Sequence, residues 1–381
     1  SFYAHFKTFG RTIRHSCAKF LWSTFECTES CITKYLDAVL SYLALHIGGR
    51  KYFGRILVCL VLSYLLWFIF ILYFCLIPRR FYKWTLCVDG ASLRVTRFEL
   101  FWLIVHLSAS HWVLILILFN YVSAIMRHPG RNPSFLSMDQ CVTFSLCSRC
   151  ISTRPARAHH CSVCGECVLK MDHHCPWIAN CVGLNTHKNF YLSLGFMTFG
   201  GIYMLTVGYS DFSEHLSELG LLNYESPRDA PIRIATFQHS TSLIWFHTLS
   251  SVLFRLGFVA IPLVMILFIW QTFLITRGET NIEYHINKEL SRTYKSRGLN
   301  YRNVYDLGAF DNWVVFLGLL DPYEYQCSSF KLSWIRFFYR FFTRVMLPST
   351  PTIYDNGLKY KIQNPPLDPS LDIFSAFHET S

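Results

Sequence analysis

Seven cysteines lie between positions 147 and 181, and their close spacing indicates metal chelation. Two residues separate Cys147 from Cys150 and also Cys161 from Cys164, and such Cys-x-x-Cys pairs are typical of zinc-binding turns. The remaining three cysteines are Cys167, Cys175 and Cys181. If Cys175 is set aside, six thiolates and two nearby imidazoles provide eight ligands, enough for two closed four-coordinate sites.

The thiol of Cys175 is then left over from metal binding. It directly follows Asp172, His173 and His174. A thiol that neighbours a histidine base, together with a carboxylate that can orient this base, has the composition of an activated nucleophile. The motif therefore predicts covalent catalysis at Cys175.

The elements that must position this motif are strongly apolar. The chain has 381 residues, of which 52% are hydrophobic, 17% aromatic and only 15% charged. This composition is too apolar for an ordinary soluble domain, and the apolar residues are clustered rather than periodic. About 20 such residues in a helix cross a bilayer core of about 30 Å. We predict four transmembrane helices, at 55–77, 98–126, 189–210 and 255–276.

The distribution of charge predicts the orientation of these spans. Four spans place both termini on the same side of the membrane as the cysteine-rich loop. The loop at 211–242 is acidic and the segment after residue 276 is basic, which indicates that the cysteines face the cytosol. The basic loop at 77–98 argues for the opposite orientation, but zinc-bound thiolates belong in a reducing compartment, and this favours the cytosol.

The predicted fold class is an all-α polytopic membrane protein with four transmembrane helices. A cytosolic two-zinc domain, 141–188, lies between helices two and three. We assign 1–54 to a cytosolic N-terminal region with a possible amphipathic helix, and 211–242 to a lumenal loop. The cytosolic C-terminal region, 277–381, contains a second amphipathic helix. No internal repeat is expected.

The formal net charge of +11 raises the possibility of a nucleic-acid partner. The basic residues border the apolar spans instead of forming one patch with aromatic platforms, so we attribute the charge to anionic lipid and predict no nucleic-acid partner. Between 334 and 344, aromatic residues and arginines alternate at helical spacing. This segment predicts an amphipathic helix lying on the membrane, and a helix packed on a protein core is the alternative.

The cysteine-rich region resembles the DHHC protein S-acyltransferases, a family of palmitoyltransferases. The resemblance rests on four segments: Cys147-x-x-Cys150, Pro-Ala-Arg-Ala-His-His-Cys at 155–161, Asp-His-His-Cys-Pro-Trp at 172–177, and Asn-Cys-Val-Gly at 180–183. It extends to Thr280, Asn281 and Glu283 in the place of the family's Thr-Thr-x-Glu motif, and to Asn312 in its C-terminal element. Segments 277–288 and 344–349 are similar to the branch of the family's sixteenth mammalian member.

The resemblance implies a role for each ligand. One structural zinc ion takes Cys147, Cys150, His160 and Cys167, and the second takes Cys161, Cys164, His174 and Cys181. His173 is then free to act as the base on Cys175, with Asp172 orienting the ring, as in a Ser-His-Asp triad with sulfur as the nucleophile.

The resemblance also implies the reaction. The enzyme transfers a long-chain acyl group from acyl-CoA, with palmitoyl-CoA as the expected donor, through acyl-Cys175 to juxtamembrane cysteines of membrane-associated proteins. Cations near Cys175 are needed for the anionic CoA, and the candidates are Arg154, Arg157, His159, Lys170 and Lys188. Ungapped counting places Gly200 at a position that closes the acyl cavity in the family, while the alternative is that this glycine allows close helix packing.

Three positions depart from the family pattern. His128 replaces the aspartate of Asp-Pro-Gly, Ala179 replaces a frequent asparagine, and Asn281 replaces the second threonine of Thr-Thr-x-Glu. In the family that threonine contacts the catalytic aspartate, and we expect the amide of Asn281 to hydrogen-bond to Asp172 instead. None of the departures is a predicted ligand or catalytic residue, so we expect an active enzyme.

Three other functions remain as alternatives. They are a structural zinc module that recruits partners, an inactive membrane scaffold and a nucleic-acid-binding finger. The first two leave the triad without a purpose, and the third does not fit a cysteine cluster placed between two spans. Family habit suggests the endoplasmic reticulum or the Golgi as the location.

Overall fold

The computed structural model describes residues 50–71, 73, 97–131, 144–218, 241–320, 334–350 and 360. Three predicted regions lie wholly or largely outside the described residues. They are the N-terminal amphipathic helix, the basic loop as far as residue 96, and most of the lumenal loop.

Four long helices form the body of the described structure. They are α1 (Arg50–Ile71), α2 (Arg97–Met126), α3 (His187–Glu218) and α4 (Thr241–Thr276). Within the part of the chain that the structure describes, two apolar stretches are long enough to cross a membrane, Leu100–Met126 and Phe254–Thr276. The apolar stretch of α1, Tyr52–Trp67, is shorter. The chain is therefore mostly helical, with two candidate membrane helices.

Helix α3 packs against both α2 and α4. Its glycines permit this close approach, because side chains of the neighbouring helices already occupy the space beside them. A Cβ atom added at Gly195 would lie 3.0 Å from the ring of Phe268, and one at Gly201 would lie 2.6 Å from Cγ1 of Ile261. Small residues of this kind are typical of helix contacts in membranes.

The cysteine-rich region is built from β-hairpins, so the expectation of an all-α chain is wrong there. Strands β1 (Phe144–Cys147) and β2 (Ser152–Pro155) form the first antiparallel hairpin. The second pairs β3 (His159–Cys161) with β4 (Glu166–Val168), and the third pairs β5 (His173–Cys175) with β6 (Asn180–Val182). Strands of three or four residues are too short to show the alternation of apolar and polar residues that identifies a strand in sequence.

The three hairpins also form a structural repeat, which corrects the expectation of none. Cys147, Cys161 and Cys175 recur every 14 residues, each at the end of the first strand of its hairpin. The residue four positions later has a positive φ each time, 50° at Ile151, 79° at Gly165 and 49° at Ala179. The repeat escapes inspection of the sequence because mainly cysteines and histidines recur in it.

The positive φ explains one departure from the family pattern. Residues other than glycine lose about 1–2 kcal/mol in the left-handed region, and asparagine tolerates it better than most. Ala179 therefore holds a conformation that suits the asparagine frequent at this position in the family.

Three shorter helices follow α4. They are α5 (Asn281–Ser296), α6 (Ala309–Phe316) and α7 (Trp334–Phe341), and α7 continues as a π-helical turn, Phe342–Met346. One side of α7 packs on the protein through Phe337 and Phe341, and Arg340 donates to the main-chain oxygen of Leu319 at 2.9 Å. On its opposite side, Ile335 and Tyr339 are exposed. Each interpretation of this segment therefore accounts for one side of the helix.

Candidate active site

Two groups of four cysteine and histidine side chains come together in the hairpins. Within each group the potential ligand atoms all lie within 4.8 Å of one another. The first group is Cys147, Cys150, His160 and Cys167, and the second is Cys161, Cys164, His174 and Cys181. These are the same two sets that the family resemblance implies.

The hairpins interlock through these groups. The turn of the second hairpin supplies Cys161 and Cys164 to the second group, while its facing strand residues, His160 and Cys167, belong to the first group. The third hairpin repeats the arrangement, with His174 facing Cys181 across its two strands. Each hairpin is thereby tied to the one before it.

The donor atoms fit zinc. A tetrahedral ion with Zn–S bonds of about 2.3 Å places its sulfur ligands about 3.8 Å apart. The Sγ atoms of Cys150 and Cys167 are 3.7 Å apart, and those of Cys164 and Cys181 are 3.5 Å apart. In both groups three thiols and one imidazole face one another, a donor set that favours Zn²⁺ over harder cations such as Ca²⁺ or Mg²⁺.

Cys175 belongs to neither group. In the repeat it corresponds to Cys147 and Cys161, but Ile178 stands where its chelating partner would be, so its thiol is left over. The side chain is only 6% exposed and lies in an apolar cluster with residues of all four long helices. An apolar group bound to this buried thiol would lie among the side chains of the four helices.

The ring of His173 connects this thiol to Asp172. Its Nδ1 atom donates to the Asp172 carboxylate at 2.7 Å, and the ring also hydrogen-bonds to Cys175. Burial alone would lower the pKa of His173, but these two contacts raise it to about 10. The side chain remains 31% exposed, so that a substrate can approach it.

Asp172 is fully buried and accepts hydrogen bonds from three separate elements. Besides His173 in β5, Nε2 of Gln271 in α4 donates to it at 2.9 Å, and the main-chain N–H of Asn281 donates at 2.6 Å. Burial would raise the pKa of this carboxyl group, but the hydrogen bond with His173 and the nearby charges hold the pKa well below its usual range. Asp172 is therefore a stable anion.

The contact from Asn281 corrects the expected atom. We expected the side-chain amide to reach Asp172, yet the main-chain N–H makes the bond, and the side-chain oxygen accepts from Nε1 of Trp270 at 3.3 Å. Because a main-chain donor is independent of residue type, the departure from threonine leaves the contact intact.

Gln271 was not identified from the sequence. Its Oε1 atom accepts from Nε2 of His187 at 2.8 Å, so one amide bridges His187 and Asp172. Burial lowers the pKa of His187 to about 4, which keeps this ring neutral and able to donate one proton. The available signal was a polar residue within an apolar span, since such residues are rare unless they have a partner.

The remaining motif residues hold the corner between α4 and α5. Thr280 and Glu283 form a capping box at the start of α5, in which each side chain bonds the other's main-chain N–H. Asn312 donates to the main-chain oxygen of Thr276 at 2.9 Å and accepts from the N–H of Leu307 at 3.0 Å. The corner that carries the Asn281 N–H is therefore braced from both sides.

Arg157 is engaged within the protein. Its guanidinium forms a two-bonded ion pair with Glu283 at 2.5 and 2.6 Å and donates to the main-chain oxygen of Gly278 at 3.0 Å. The rings of Tyr305 and Tyr360 lie 4.4 and 4.9 Å from it. This geometry ties the second hairpin to the α4–α5 corner and leaves little of the side chain for CoA.

The other four candidates for CoA binding are also partly or wholly buried. Arg154 donates to Ser145 at 3.0 Å, and His159 is 3% exposed. Lys170 lies over the ring of Phe316, and burial lowers its pKa to about 8. Burial, with a contribution from Arg344, lowers the pKa of Lys188 to about 8 as well.

Gly200 faces α2. A Cβ atom there would lie 3.1 Å from Val113 and 3.5 Å from Ile117, so these side chains already fill the space beside it. The geometry favours the packing interpretation of this glycine over a role in closing the acyl cavity.

His128 reproduces the local role of an aspartate. Its Nδ1 atom accepts from the main-chain N–H of Gly130 at 3.2 Å, as an aspartate side chain does in a turn, and its Nε2 atom contacts Glu166 at 3.0 Å. The substitution therefore preserves the turn that follows α2.

Comparison with known proteins gives one consistent family. Residues 141–288 match the DHHC palmitoyltransferase family model. The chain is 32% identical over 348 residues to palmitoyltransferase ZDHHC16A of Danio rerio, covering 82% of this chain and 79% of that protein. It is 35% identical to palmitoyltransferase ZDHHC16 of Mus musculus and 34% identical to that of Homo sapiens. These two alignments cover 67% of this chain, and 63% and 65% of the relatives, so the chain spans slightly less than two thirds of their length.

The Arg157–Glu283 pair predicts a stability effect. Arg157→Met leaves a buried carboxylate without its ion partner, so we expect a destabilisation of about 3–5 kcal/mol, measured as a lower melting temperature of the purified protein. Adding Glu283→Gln should recover part of this loss, and Arg149→Met, at an exposed arginine of the same region, is the control. A raised KM for acyl-CoA with unchanged stability would contradict the structural role.

Proposed function

This chain belongs to the DHHC palmitoyltransferase family, and we propose how its own residues carry out protein S-palmitoylation. One observation carries the proposal. Cys175 stands outside both ligand groups and contacts a histidine that a buried aspartate holds in place. This arrangement supplies a nucleophile, a base and an orienting group within four consecutive residues.

In the first half-reaction, the proton of the Cys175 thiol is held by His173, whose raised pKa favours the imidazolium, and the sulfur attacks the thioester carbonyl of acyl-CoA. Asp172 stabilises the imidazolium that forms, because its anion accepts from Nδ1. The tetrahedral intermediate collapses with loss of the CoA thiolate, which takes the proton back from His173. The products are acyl-Cys175 and CoA.

In the second half-reaction, His173 removes the proton of a substrate cysteine. The substrate thiolate attacks acyl-Cys175, the Cys175 thiolate leaves, and it regains a proton from His173. One thioester replaces another in both steps, so the enzyme needs accurate positioning more than driving force. Substrates are membrane-associated proteins with cysteines close to the bilayer surface.

Two zinc ions complete the cysteine-rich region in this proposal, one in each ligand group. Zinc with four protein ligands supplies rigidity and offers no open coordination position. His174 belongs to the second group, and it is flanked by His173 and Cys175. The ligand group therefore holds the strand on which the base and the nucleophile are presented.

The acyl chain enters the apolar cluster beneath Cys175. Four helices surround this thiol, with Val61 from α1, Tyr121 from α2, Leu194 from α3 and Leu267 from α4. Deeper along these helices, Gly257 of α4 faces Met204 of α3 and Tyr64 of α1, at 3.3 and 3.6 Å from a Cβ built on the glycine. Ten residues of α4 separate Leu267 from Gly257, about 15 Å of depth. Because Met204 is a flexible, unbranched side chain, we place the floor of the acyl site at Gly257 rather than at Gly200, whose neighbours on α2 are the branched Val113 and Ile117.

The four-span arrangement, with Cys175 on the cytosolic face of the endoplasmic reticulum or Golgi, completes the proposal. Its support is the position of Cys175 at one end of the four-helix cluster, together with the exposed aromatic side of α7. The arginines of α7 suit a cytosolic leaflet that carries anionic lipid. Of the five candidates for CoA binding, Lys170 is the one whose side chain is half-buried rather than buried, and we assign it to the CoA phosphates.

We expect Cys175→Ser to abolish acylation without loss of metal. Cys175 belongs to neither ligand group, so the purified variant should retain about two zinc ions per chain and its melting temperature, while hydroxylamine-labile acyl label disappears. Loss of zinc would show that this sulfur is a ligand. Absence of label in the parent chain would favour the scaffold or zinc-module alternatives.

His173 and His174 should respond differently to substitution by alanine. His173→Ala should keep the zinc content and slow acylation by about 10²–10⁴, the range for a lost general base. His174→Ala opens a ligand group, and because metal binding is coupled to folding, yield and melting temperature should fall. Equal destabilisation by both substitutions would refute this division of roles.

Acyl-chain length provides a test of the cavity floor. Gly257→Leu should shift the preference toward shorter acyl-CoAs in competition assays, because its side chain projects between Met204 and Tyr64. Gly200→Leu is the matched control, and it should lower stability by crowding α2 while leaving the length profile unchanged. If only Gly200→Leu shifted the preference toward shorter acyl-CoAs, the floor of the acyl site would lie at Gly200 and not at Gly257.

A further inference from the structure

A cavity of about 560 Å³ lies beside the corner between α4 and α5. It begins at Phe273, in the last turn of the apolar stretch Phe254–Thr276, and extends along α5. None of the residues that line it takes part in the Cys175 site or in the two ligand groups. Its position places it at the boundary between a membrane-spanning segment and the polar region that follows.

Helix α5 explains one wall of this cavity. One face of the helix packs into the protein through Ile286, Leu290 and Tyr294. A second face, with Tyr284, Lys288 and Arg292 at intervals of one turn, lines the cavity. Lys288 and Arg292 therefore lie on the cavity side of the helix and not on the side that packs into the protein.

The lining carries three cations and one carboxylate. Glu279 has no exposed side-chain surface and is paired with Arg277 at 3.2 Å, so its charge is compensated inside the wall. Arg292 contacts Glu289 at 2.9 Å, but both side chains are largely exposed, and such surface pairs contribute little. The described lining of the cavity therefore contains more cationic than anionic side chains.

Aromatic rings hold the cations in position. The Arg277 guanidinium lies 5.2 Å from the ring of Phe273, and the Lys288 amine lies 5.5 Å from the ring of Tyr284. Cations placed over ring faces in this way are favourably oriented. The lining therefore combines cationic groups with aromatic rings, next to the end of the apolar stretch Phe254–Thr276.

We propose that this cavity binds the phosphorylated headgroup of an anionic membrane lipid. Lys288 and Arg292 contact the phosphate, with the forked guanidinium suited to two of its oxygens. The rings of Phe273 and Tyr284 face the glycerol and the first part of the acyl chains. A volume of about 560 Å³ falls within the range of small-molecule sites, about 300–1,000 Å³.

The test uses the full chain, purified in neutral detergent, and three probes. Dioctanoyl phosphatidylinositol 4-phosphate carries the proposed headgroup, dioctanoyl phosphatidylcholine lacks the anionic group, and CoA is a soluble phosphate compound. We expect the inositol lipid to bind at least about tenfold more tightly than the choline lipid, because the cations of the lining attract its anionic headgroup. CoA should not displace it from the cavity.

Two charge-reversed variants separate the cavity from general electrostatics. Lys288→Glu with Arg292→Glu should weaken binding of the inositol lipid by at least about tenfold. Lys295→Glu with Arg297→Glu reverses the same number of charges on exposed residues outside the cavity, and it should change binding by less than about twofold. Both variants should keep the parent's melting temperature and its acyl label on Cys175.

Three outcomes would overturn the proposal. Unchanged lipid binding by the Lys288/Arg292 variant would exclude this cavity as the site, and equal loss in both variants would indicate non-specific charge attraction. Binding of CoA, but not of the inositol lipid, with sensitivity to Lys288 and Arg292 would show that the cavity takes a soluble phosphate compound instead of a lipid.

Discussion

The buried carboxylate of Asp172 is the constraint on which the rest of the site depends. An ionised carboxylate removed from water is strongly destabilising unless it is paired and hydrogen-bonded. Its donors come from β5, from α4 and from the first residue of α5. Because all three donors converge on one group, β5, the last part of α4 and the start of α5 are held together at this carboxylate.

The hairpins contribute a second level of order. Their strands are too short to be stable alone, and they share ligand groups in which each hairpin completes the group of its neighbour. The third hairpin repeats this plan but lacks a second chelating cysteine, so one thiol stays outside the groups. The proposed nucleophile is thus presented on a framework that metal ligation would make rigid.

The apolar and polar parts of the molecule meet at the α4–α5 corner. The Arg157–Glu283 pair, the capping box and the contacts of Asn312 all lie within a few residues of it. This concentration of buried hydrogen bonds keeps the Asn281 N–H directed at Asp172 just beyond the apolar span. The cavity beside this corner places the proposed headgroup site next to this concentration of hydrogen bonds.

The sequence by itself determined the chemistry and the long helices, because both are written in local patterns. Cys-x-x-Cys spacing and the Asp-His-His-Cys motif predicted a cysteine and histidine cluster with one left-over thiol, and the apolar span predicted at 98–126 lies within α2, Arg97–Met126. The hairpins and their repeat escaped detection, since three-residue strands leave no periodic signal.

Only the tertiary structure decided the partners of the site residues. Gln271, the main-chain N–H of Asn281 and the Arg157–Glu283 pair join positions about a hundred residues apart, and no local pattern reports such contacts. The same holds for Gly200, whose role depends on which helix lies against it. Local composition specifies what a segment can do, whereas the convergence of distant segments specifies which atom does it.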